Sequence, residues 1–575
     1  MKLSDYVVDF FAQKGVKVIF GYQGGSVTHL IDSVAQNDNV SYVQNYHEQG
    51  AAFAADAYAR CSEEKIGVVI ASNGPGATNL ITGIANAYCD SVPLVCMTGQ
   101  VHTFSMKKQS GVRQESFQEI DIISMVKPVT KYCVTVMNCE DIRFELEKAY
   151  YYALEGRKGP VLIDLPVDIQ GMSVEPDTLK SFVSDKECLY NKLTLEEFEI
   201  IYNRILNARR PVIIAGGGIH MADAKEEFEL FVHNFGIPVV CSLQGLDAIS
   251  HNNDYFCGFI GSYGNRNANI AVQNADVIIA LGSRLDLRQT GKNKETFAPG
   301  AFVLHVDIDK NELNHNVHEE LSIHMDLKVF MEELNRFSPL KGRFDKWAAV
   351  IKKWEKLFED EVEQNKELKY IGELLGNNAA ICSDVGQNQM WLAQSLRVSG
   401  EDFRIINSGG LGAMGYSLPA AIGLYYTKKF NQVLAVMGDG GFQMNLQELC
   451  LIGNMRLPIV IVLLNNHSLG LIRDIHEKYY DNRCVGSVEG FFQPNMCLLA
   501  ESYHINYIKM KSIDELKKKI KNLIIDEPLI IDIDIDIDNK TMLKPELLGL
   551  DTLDRQMPYI SDAMLKSIKK DCDSL

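Results

Sequence analysis

Two apolar segments in the last third of the chain end in polar tips. Val433–Met437 runs into Gly438-Asp439-Gly440-Gly441-Phe442, and Ile459–Leu464 runs into Asn465-Asn466. Between them Gln443–Met455 reads as a helix, followed by Leu457-Pro458. A strand–helix–strand unit of this kind lays its two strands parallel, with their C-terminal ends side by side. Asp439 and Asn466 should therefore meet at the sheet edge where open parallel sheets take their ligands. One carboxylate and one amide oxygen cannot close a cage around an ion. They suit Mg²⁺ or Ca²⁺ whose shell is completed by phosphate oxygens and water. Gly440 and Gly441 let the backbone come close, and the helix behind them turns unpaired N–H groups toward a diphosphate. The unit predicts a metal–diphosphate site.

The same β–α alternation occurs three times, which predicts an α/β protein of three doubly wound parallel-sheet domains. In the first third, Lys17–Phe20 leads into Gly21-Tyr22-Gln23-Gly24-Gly25 and Ile66–Ser72 into Asn73-Gly74-Pro75-Gly76; Pro160–Leu165 is its last strand. Residues 170–195 read as a linker. Pro211–Ala215 runs into Gly216-Gly217-Gly218 and opens the second third, with Ala275–Leu281 and Phe302–Val306 as further strands. A charged helical stretch around 341–368 leads to the final third, which begins near Ile381. The expected domains are 1–170, 190–340 and 365–545, with a tail at 546–575 that no motif explains. At 575 residues, the chain exceeds what one core supports. In Leu529–Asp538, isoleucines alternate with Asp532, Asp534, Asp536 and Asp538. That period predicts a strand with one apolar and one solvated face rather than a metal ladder.

Composition removes several function classes. A net charge of −18 leaves no cationic footprint for nucleic acid. No apolar run approaches the roughly 18–20 residues of a membrane helix, and residues 1–20 lack the pattern of a signal peptide. The 13 cysteines contain no C-x-x-C pair, so neither a disulfide framework nor a zinc ribbon is expected, and a reducing cytoplasm is the plain setting. Gly216-Gly217-Gly218 falls short of G-x-G-x-x-G because position 221 is Met, which weakens a dehydrogenase reading. Asp307 and Asp309, at the end of their strand, are placed to accept ribose hydroxyls. His47-Glu48 is not a zinc-protease motif, because position 51 is Ala.

Several further motifs stand in a fixed order: His47-Glu48-Gln49-Gly50-Ala51-Ala52, Phe117-Gln118-Glu119, Arg284-Leu285-Asp286-Leu287-Arg288, Asp384-Val385-Gly386-Gln387, and Gly409 through Tyr416. With the Gly438-Asp439-Gly440 and Asn465-Asn466 pair, the chain resembles thiamine-diphosphate (ThDP) enzymes and, among them, the acetolactate synthase large-subunit group. The resemblance implies a ThDP-binding fold with a Rossmann-like middle domain, and ThDP, Mg²⁺ and FAD as cofactors. It implies that Glu48 hydrogen-bonds the aminopyrimidine ring and activates the cofactor. Ala51, Ala52, Ala54 and Ala55 would withdraw that carboxyl from water, as such a proton exchange needs. Gln118 would contact the reaction intermediate, and Arg288 would receive the carboxylate of the acceptor.

By the same resemblance Met414 props the cofactor in a bent shape. Asp439, Asn466 and the Ser468 carbonyl would hold the ion, and Gly24, Gly74, Val385, Gly386, Gln387, Asn388, Gly440 and Gly441 would line the cofactor. Gly217, Gly218, Arg284 and Asp307 would hold the flavin. Glu48 and Asp439 lie in different thirds, and in this family one subunit's pyrimidine-binding domain meets another's diphosphate-binding domain. A homodimer or tetramer is therefore implied. The implied reaction moves the two-carbon unit of pyruvate to a second pyruvate or another 2-oxo acid. A keto-sugar nucleotide acceptor, or a decarboxylase or oxidase on the same scaffold, stays open. The chain departs from amino-acid-pathway synthases at Gln23, His102, Val167 and Ile475, and Val101–Ser116 carries extra residues including Lys107, Lys108 and Arg113. These changes should reshape the acceptor pocket.

Overall fold

The structure, a computed structural model, describes residues 1–106, 111–184, 192–359, 366–511, 513–520, 526–538 and 552–575. Lys107 and Lys108 lie outside the described residues, as does part of the linker at 185–191. Three six-stranded sheets follow one another along the chain, and every strand pairing within them is parallel. The first holds β1 (Val18–Gly21), β2 (Ser41–Gln44), β3 (Gly67–Ala71), β4 (Leu94–Gln100), β5 (Tyr132–Thr135) and β6 (Val161–Pro166), in the order 2-1-3-4-6-5. The second holds β7 (Pro211–Ala215), β8 (Val239–Cys241), β9 (Phe256–Phe259), β10 (Val277–Leu281), β11 (Phe302–Asp307) and β12 (Leu321–His324), in the order 12-11-10-7-8-9. The third holds β13 (Ala379–Ser383), β14 (Arg404–Asn407), β15 (Gln432–Gly438), β16 (Ile459–Asn465), β17 (Asn506–Met510) and β18 (Leu529–Asp534), in the order 14-13-15-16-18-17.

The first and third sheets thus share one topology, and the middle sheet has the doubly wound order of dinucleotide-binding folds. In each, the strand order reverses beside the first strand, and the loops leaving the strands there part to opposite faces. Those crevices lie after β13 and β15 in the third sheet and after β7 and β10 in the second. Helices cover both sheet faces, so central strands such as β7, β10 and β16 are buried along their whole length.

Two expectations are corrected. The segment read as one helix over Gln443–Met455 is a helix from Asp439 to Met444, a 3₁₀ turn at Leu446–Glu448 and a second helix from Leu449 to Asn454. The break falls at Asn445, whose side chain donates to the Gly415 carbonyl instead of facing solvent. The aspartate-rich strand ends at Asp534, and its alternation does not separate a wet face from a dry one. Because β18 lies between β16 and β17, Asp532 is buried, accepting from Tyr507 Oη at 2.6 Å and Asn465 Nδ2 at 3.3 Å. An interior position in a parallel sheet overrides the two-residue period.

The C-terminal residues close over the middle domain. Leu553, Ile568 and Cys572 join the core around Trp347 and Trp354, and Lys353 and Trp354 Nε1 both reach Asp571. Gln556 Nε2 donates to the Gly264 carbonyl at 2.9 Å. The three sheets meet around Arg60, which is buried and bonded to Asp56 at 2.7 Å, Asp90 at 2.9 Å and Gln244 at 3.0 Å. Tyr416 from the third domain donates to the same Asp56 at 2.7 Å.

Candidate active site

The loops after β13, β15 and β16 enclose a cavity of about 170 Å³. Val385, Gly386, Gln387, Asn388, Met414, Asp439, Gly440, Gly441, Asn466 and Ser468 all line it. The sequence reading therefore converges on one place. Asp384 is the anchor beneath it: its carboxylate accepts from the backbone N–H of Val385, Gly415 and Ser417, each at 2.9 Å. Burial still pushes that carboxyl up to about 6. It ties the Gly386 turn to the loop carrying Met414. Gly386 has φ 139, a conformation that favours glycine. At Gly441 a Cβ would fall 2.4 Å from Asp384 Oδ1, so neither turn tolerates a side chain.

Asp439 and Asn466 stand side by side, as the strand crossover requires. Asp439 is buried, and burial pushes its carboxyl up to about 7. Its Oδ1 accepts from Gly440 N at 3.1 Å. Asn466 Oδ1 accepts from Ser468 N at 3.2 Å, and Asn466 Nδ2 donates to Gln387 Oε1 at 3.0 Å. Asn388 Oδ1 and Ser468 Oγ are buried without a hydrogen-bond partner, which leaves polar atoms for an occupant to satisfy. Gln493, which sequence reasoning missed, reaches Asp439 Oδ2 at 2.8 Å and Asn465 Oδ1 at 3.0 Å. It comes from an irregular loop with no motif to mark it.

A second group gathers at the ends of β1 and β3. Glu48 opens the helix Glu48–Cys61 and is buried, its Oε2 accepting from Asn79 Nδ2 at 2.9 Å. Gly76 lies beside the other oxygen, where a Cβ would come within 3.2 Å of Oε1. Gly24 packs on Ser72, and Gly74, with φ 58, lies against the Gln118 backbone. Asn73 Nδ2 holds the Gln118 carbonyl at 3.2 Å. Glu48, Gly24, Gly74 and Gln118 line no part of the Asp439 cavity, whose walls come from the third domain alone. Arg288 lines neither cavity; it is exposed, with its guanidinium 5.7 Å from the centre of the Tyr263 ring.

The larger cavity, about 250 Å³, opens at the middle sheet's crevice. Gly217, Gly218, Arg284 and Asp307 all line it. A Cβ on Gly218 would stand 2.7 Å from Gly282 Cα, and one on Gly217 would stand 2.9 Å from Gln244 Cβ. Asp309 does not line this cavity and instead pairs with Arg157 at 3.0 Å. Arg157 and Lys158 from the first domain and Arg404 from the third complete the wall. No local motif flags them, because only domain assembly brings them there.

Three family profiles match in sequence order. The N-terminal TPP binding domain of thiamine pyrophosphate enzymes covers residues 1–125, the central domain 199–334 and the C-terminal TPP binding domain 384–533. The chain is therefore a thiamine-diphosphate-dependent enzyme, and the Asp439 cavity lies within the stretch matched by the C-terminal TPP binding domain. The acetolactate synthase large subunit of Lactococcus lactis is 38% identical over 538 residues, covering 92% of each chain. That of Cyanidium caldarium is 36% identical over 92% of each chain. The probable acetolactate synthase large subunit of Methanocaldococcus jannaschii is 36% identical over 93% of this chain and 92% of its own. The chain belongs to the acetolactate synthase large-subunit family of ThDP carboligases.

Proposed function

We propose that this protein decarboxylates pyruvate and joins the resulting two-carbon unit to a carbonyl acceptor, a second pyruvate or another 2-oxo acid. The observation that carries the reading is the convergence of Gly386, Met414, Asp439, Asn466 and Ser468 on one cavity. The donor set fits a divalent ion bound through a diphosphate: one buried carboxylate, an amide oxygen and a backbone carbonyl, with phosphate oxygens and water completing the shell. Asp439, Asn466 and Ser468 would hold Mg²⁺, and Gly386, Gln387 and Gly440 would lie along the diphosphate. When bound, ThDP supplies the carbon nucleophile and electron sink that decarboxylation of a 2-oxo acid needs.

The chain's own residues do the rest. Glu48 would hold and exchange a proton with a bound pyrimidine ring, Asn79 fixing its Oε2 while Oε1 stands beside Gly76. Met414 stands over Gly440 and would support a bound cofactor from that side. Gln118 touches the reacting unit, and Arg288 takes the acceptor carboxylate as a planar pair of N–H donors. The Asp439 cavity contains no residue of the first domain, which supports a homodimer or tetramer in which Glu48 of a second subunit completes it. The lining of the middle cavity fits FAD: Gly217 and Gly218 would allow close approach, Arg284 would meet phosphate, and the buried Asp307 would accept from a ribose.

Incubation with labelled pyruvate, followed by mass spectrometry of the products, tests the reading. Acetolactate formed with ThDP and Mg²⁺, and strongly reduced but still measurable in Glu48→Gln, is the expected result; free acetaldehyde as sole product would overturn it. A second acceptor is suggested by the sequence changes at Gln23, His102, Val167 and Ile475; Gln23 and His102 are exposed, Ile475 is 39% exposed, and none of them lines either cavity. A product formed only with a keto-sugar nucleotide would select that acceptor.

A further inference from the structure

Glu448 lines neither cavity, yet its side chain is fully buried. It comes from the 3₁₀ turn Leu446–Glu448, directly after the helix that begins at Asp439. From there it crosses to the first domain. Its Oε2 accepts from Asn45 Nδ2 at 2.9 Å and its Oε1 from Tyr46 N at 3.0 Å, with the His47 N–H as a further donor. A Cβ on Gly50 would fall 2.5 Å from Oε1. Residues 45, 46, 47 and 50 thus form a socket around one carboxylate delivered by another domain, and Glu48 lies between them.

The socket sits where the chain turns into the helix Glu48–Cys61. The first N–H groups of a helix have no partner of their own, and negative charge there favours the helix start. His47 caps from within the segment, its Nδ1 accepting from Gln49 N at 3.1 Å. Glu448 satisfies the donors just ahead of it. The approach to Glu48 is therefore held from both sides, once by its own neighbour and once by the third domain.

We propose that Glu448 is a positioning residue for Glu48, setting the direction from which the activating carboxyl reaches the pyrimidine ring. The proposal rests on the reading of Glu48 given above. It makes one segment serve two ends: Asp439 begins it at the ion, and Glu448 ends it at the first domain. Burial pushes the Glu448 carboxyl up to about 7, yet Asn45 Nδ2, Tyr46 N and His47 N all donate to it, which an acceptor-only carboxylate matches. An amide in its place turns an NH₂ toward one of those donors.

A double-mutant cycle tests this. Glu448→Gln, Glu48→Gln and the double variant are compared with the parent for kcat on pyruvate, Mg²⁺-dependent ThDP affinity and amide exchange at Tyr46 and His47. Glu448→Gln should lower kcat by about tenfold or more through misplacement of the carboxyl. ThDP affinity should stay within about threefold, and both amides should exchange faster. In the Glu48→Gln background the second substitution should cost less than about twofold, because the group it positions is gone. Equal losses in both backgrounds, or an unchanged kcat, would overturn the proposal while leaving the role of Glu48 intact. A Glu48→Gln variant as active as the parent would overturn both. Should Glu448→Gln fail to fold, Asn45→Ala removes the 2.9 Å bond from the other side, and the same pattern or its absence decides.

Discussion

The two cavities sit at equivalent places, each at the crevice where a parallel sheet reverses its strand order, but they are built differently. Around Asp439 every wall residue comes from the third domain, within the span 385–472. Around Gly218 the wall draws on all three domains, from Arg60 to Gly410. The first cavity is a property of one sheet and its turns. The second exists only after the domains have docked. A ligand-binding geometry of the first kind should survive damage to the domain junction, and one of the second kind should not.

The junction itself offers the largest test. Arg60 is buried between Asp56 and Asp90, and Asp90 also accepts from the Gly409 and Gly410 N–H groups. Arg60→Met leaves two carboxylates buried without their cation, a change that costs about 3–5 kcal/mol when one partner of a buried pair is removed. Denaturant unfolding followed at two wavelengths should show the loss. On the proposed reading of the two cavities, flavin content should fall first, while Mg²⁺-dependent ThDP binding persists in whatever folded fraction remains. ThDP binding lost together with flavin would break the comparison.

The reciprocal test comes next in size. Asp439→Ala removes the one carboxylate that, among the described residues, lines the third-domain cavity, and on the proposed reading it should weaken Mg²⁺-dependent ThDP binding by roughly a hundredfold or more, beyond what outer-shell changes cause. Titration of ThDP against intrinsic fluorescence at several Mg²⁺ concentrations measures it. Flavin absorbance per chain should not change. Gly218→Val acts on the other side: its side chain meets Gly282 Cα, and overpacking of this kind costs about 1–3 kcal/mol. Flavin affinity should drop while the Mg²⁺ dependence of ThDP binding stays within error. Either variant disturbing both ligands would mean that the cavities are coupled more tightly than their walls suggest.

The same contrast explains what could be read in advance. Asp439 and Asn466 end neighbouring strands, so strand order and spacing sufficed to bring them together, whereas Gly386 and Met414 were named only through the family resemblance. The break of the helix at Asn445 was hidden because it depends on Gly415, distant in sequence and adjacent only through the fold. Asp532 was misread for a related reason: its neighbours on both sides come from strands that local alternation cannot name. Arg157, Lys158, Arg404 and Glu448 carry no local signal at all. Each is an ordinary charged residue until another domain is placed against it.

The smallest effect separates the junction from the turn by pH. Asp247 is buried between His220 at 2.7 Å and Arg404 at 2.9 Å. Burial alone would raise its carboxyl, but the Arg404 guanidinium and His220 outweigh it and hold the group well below its ordinary 3.8. Asp384 has only backbone N–H partners, and there burial wins, raising the carboxyl from 3.8 to about 6. The signs oppose. A depressed carboxyl contributes stability that is full above its unfolded value and is lost as pH falls below 3.8 toward the folded value. A raised one contributes stability that is full below 3.8 and is lost as pH rises through about 6. Asp247→Asn should therefore lower the denaturation midpoint at neutral pH and bring the variant and parent curves together on acidification. Midpoints taken from pH 7 down to about pH 2 decide it, with convergence expected only below 3.8. Curves that stay parallel across that range would show that the junction draws its stability from packing around Arg404 rather than from the charge on Asp247.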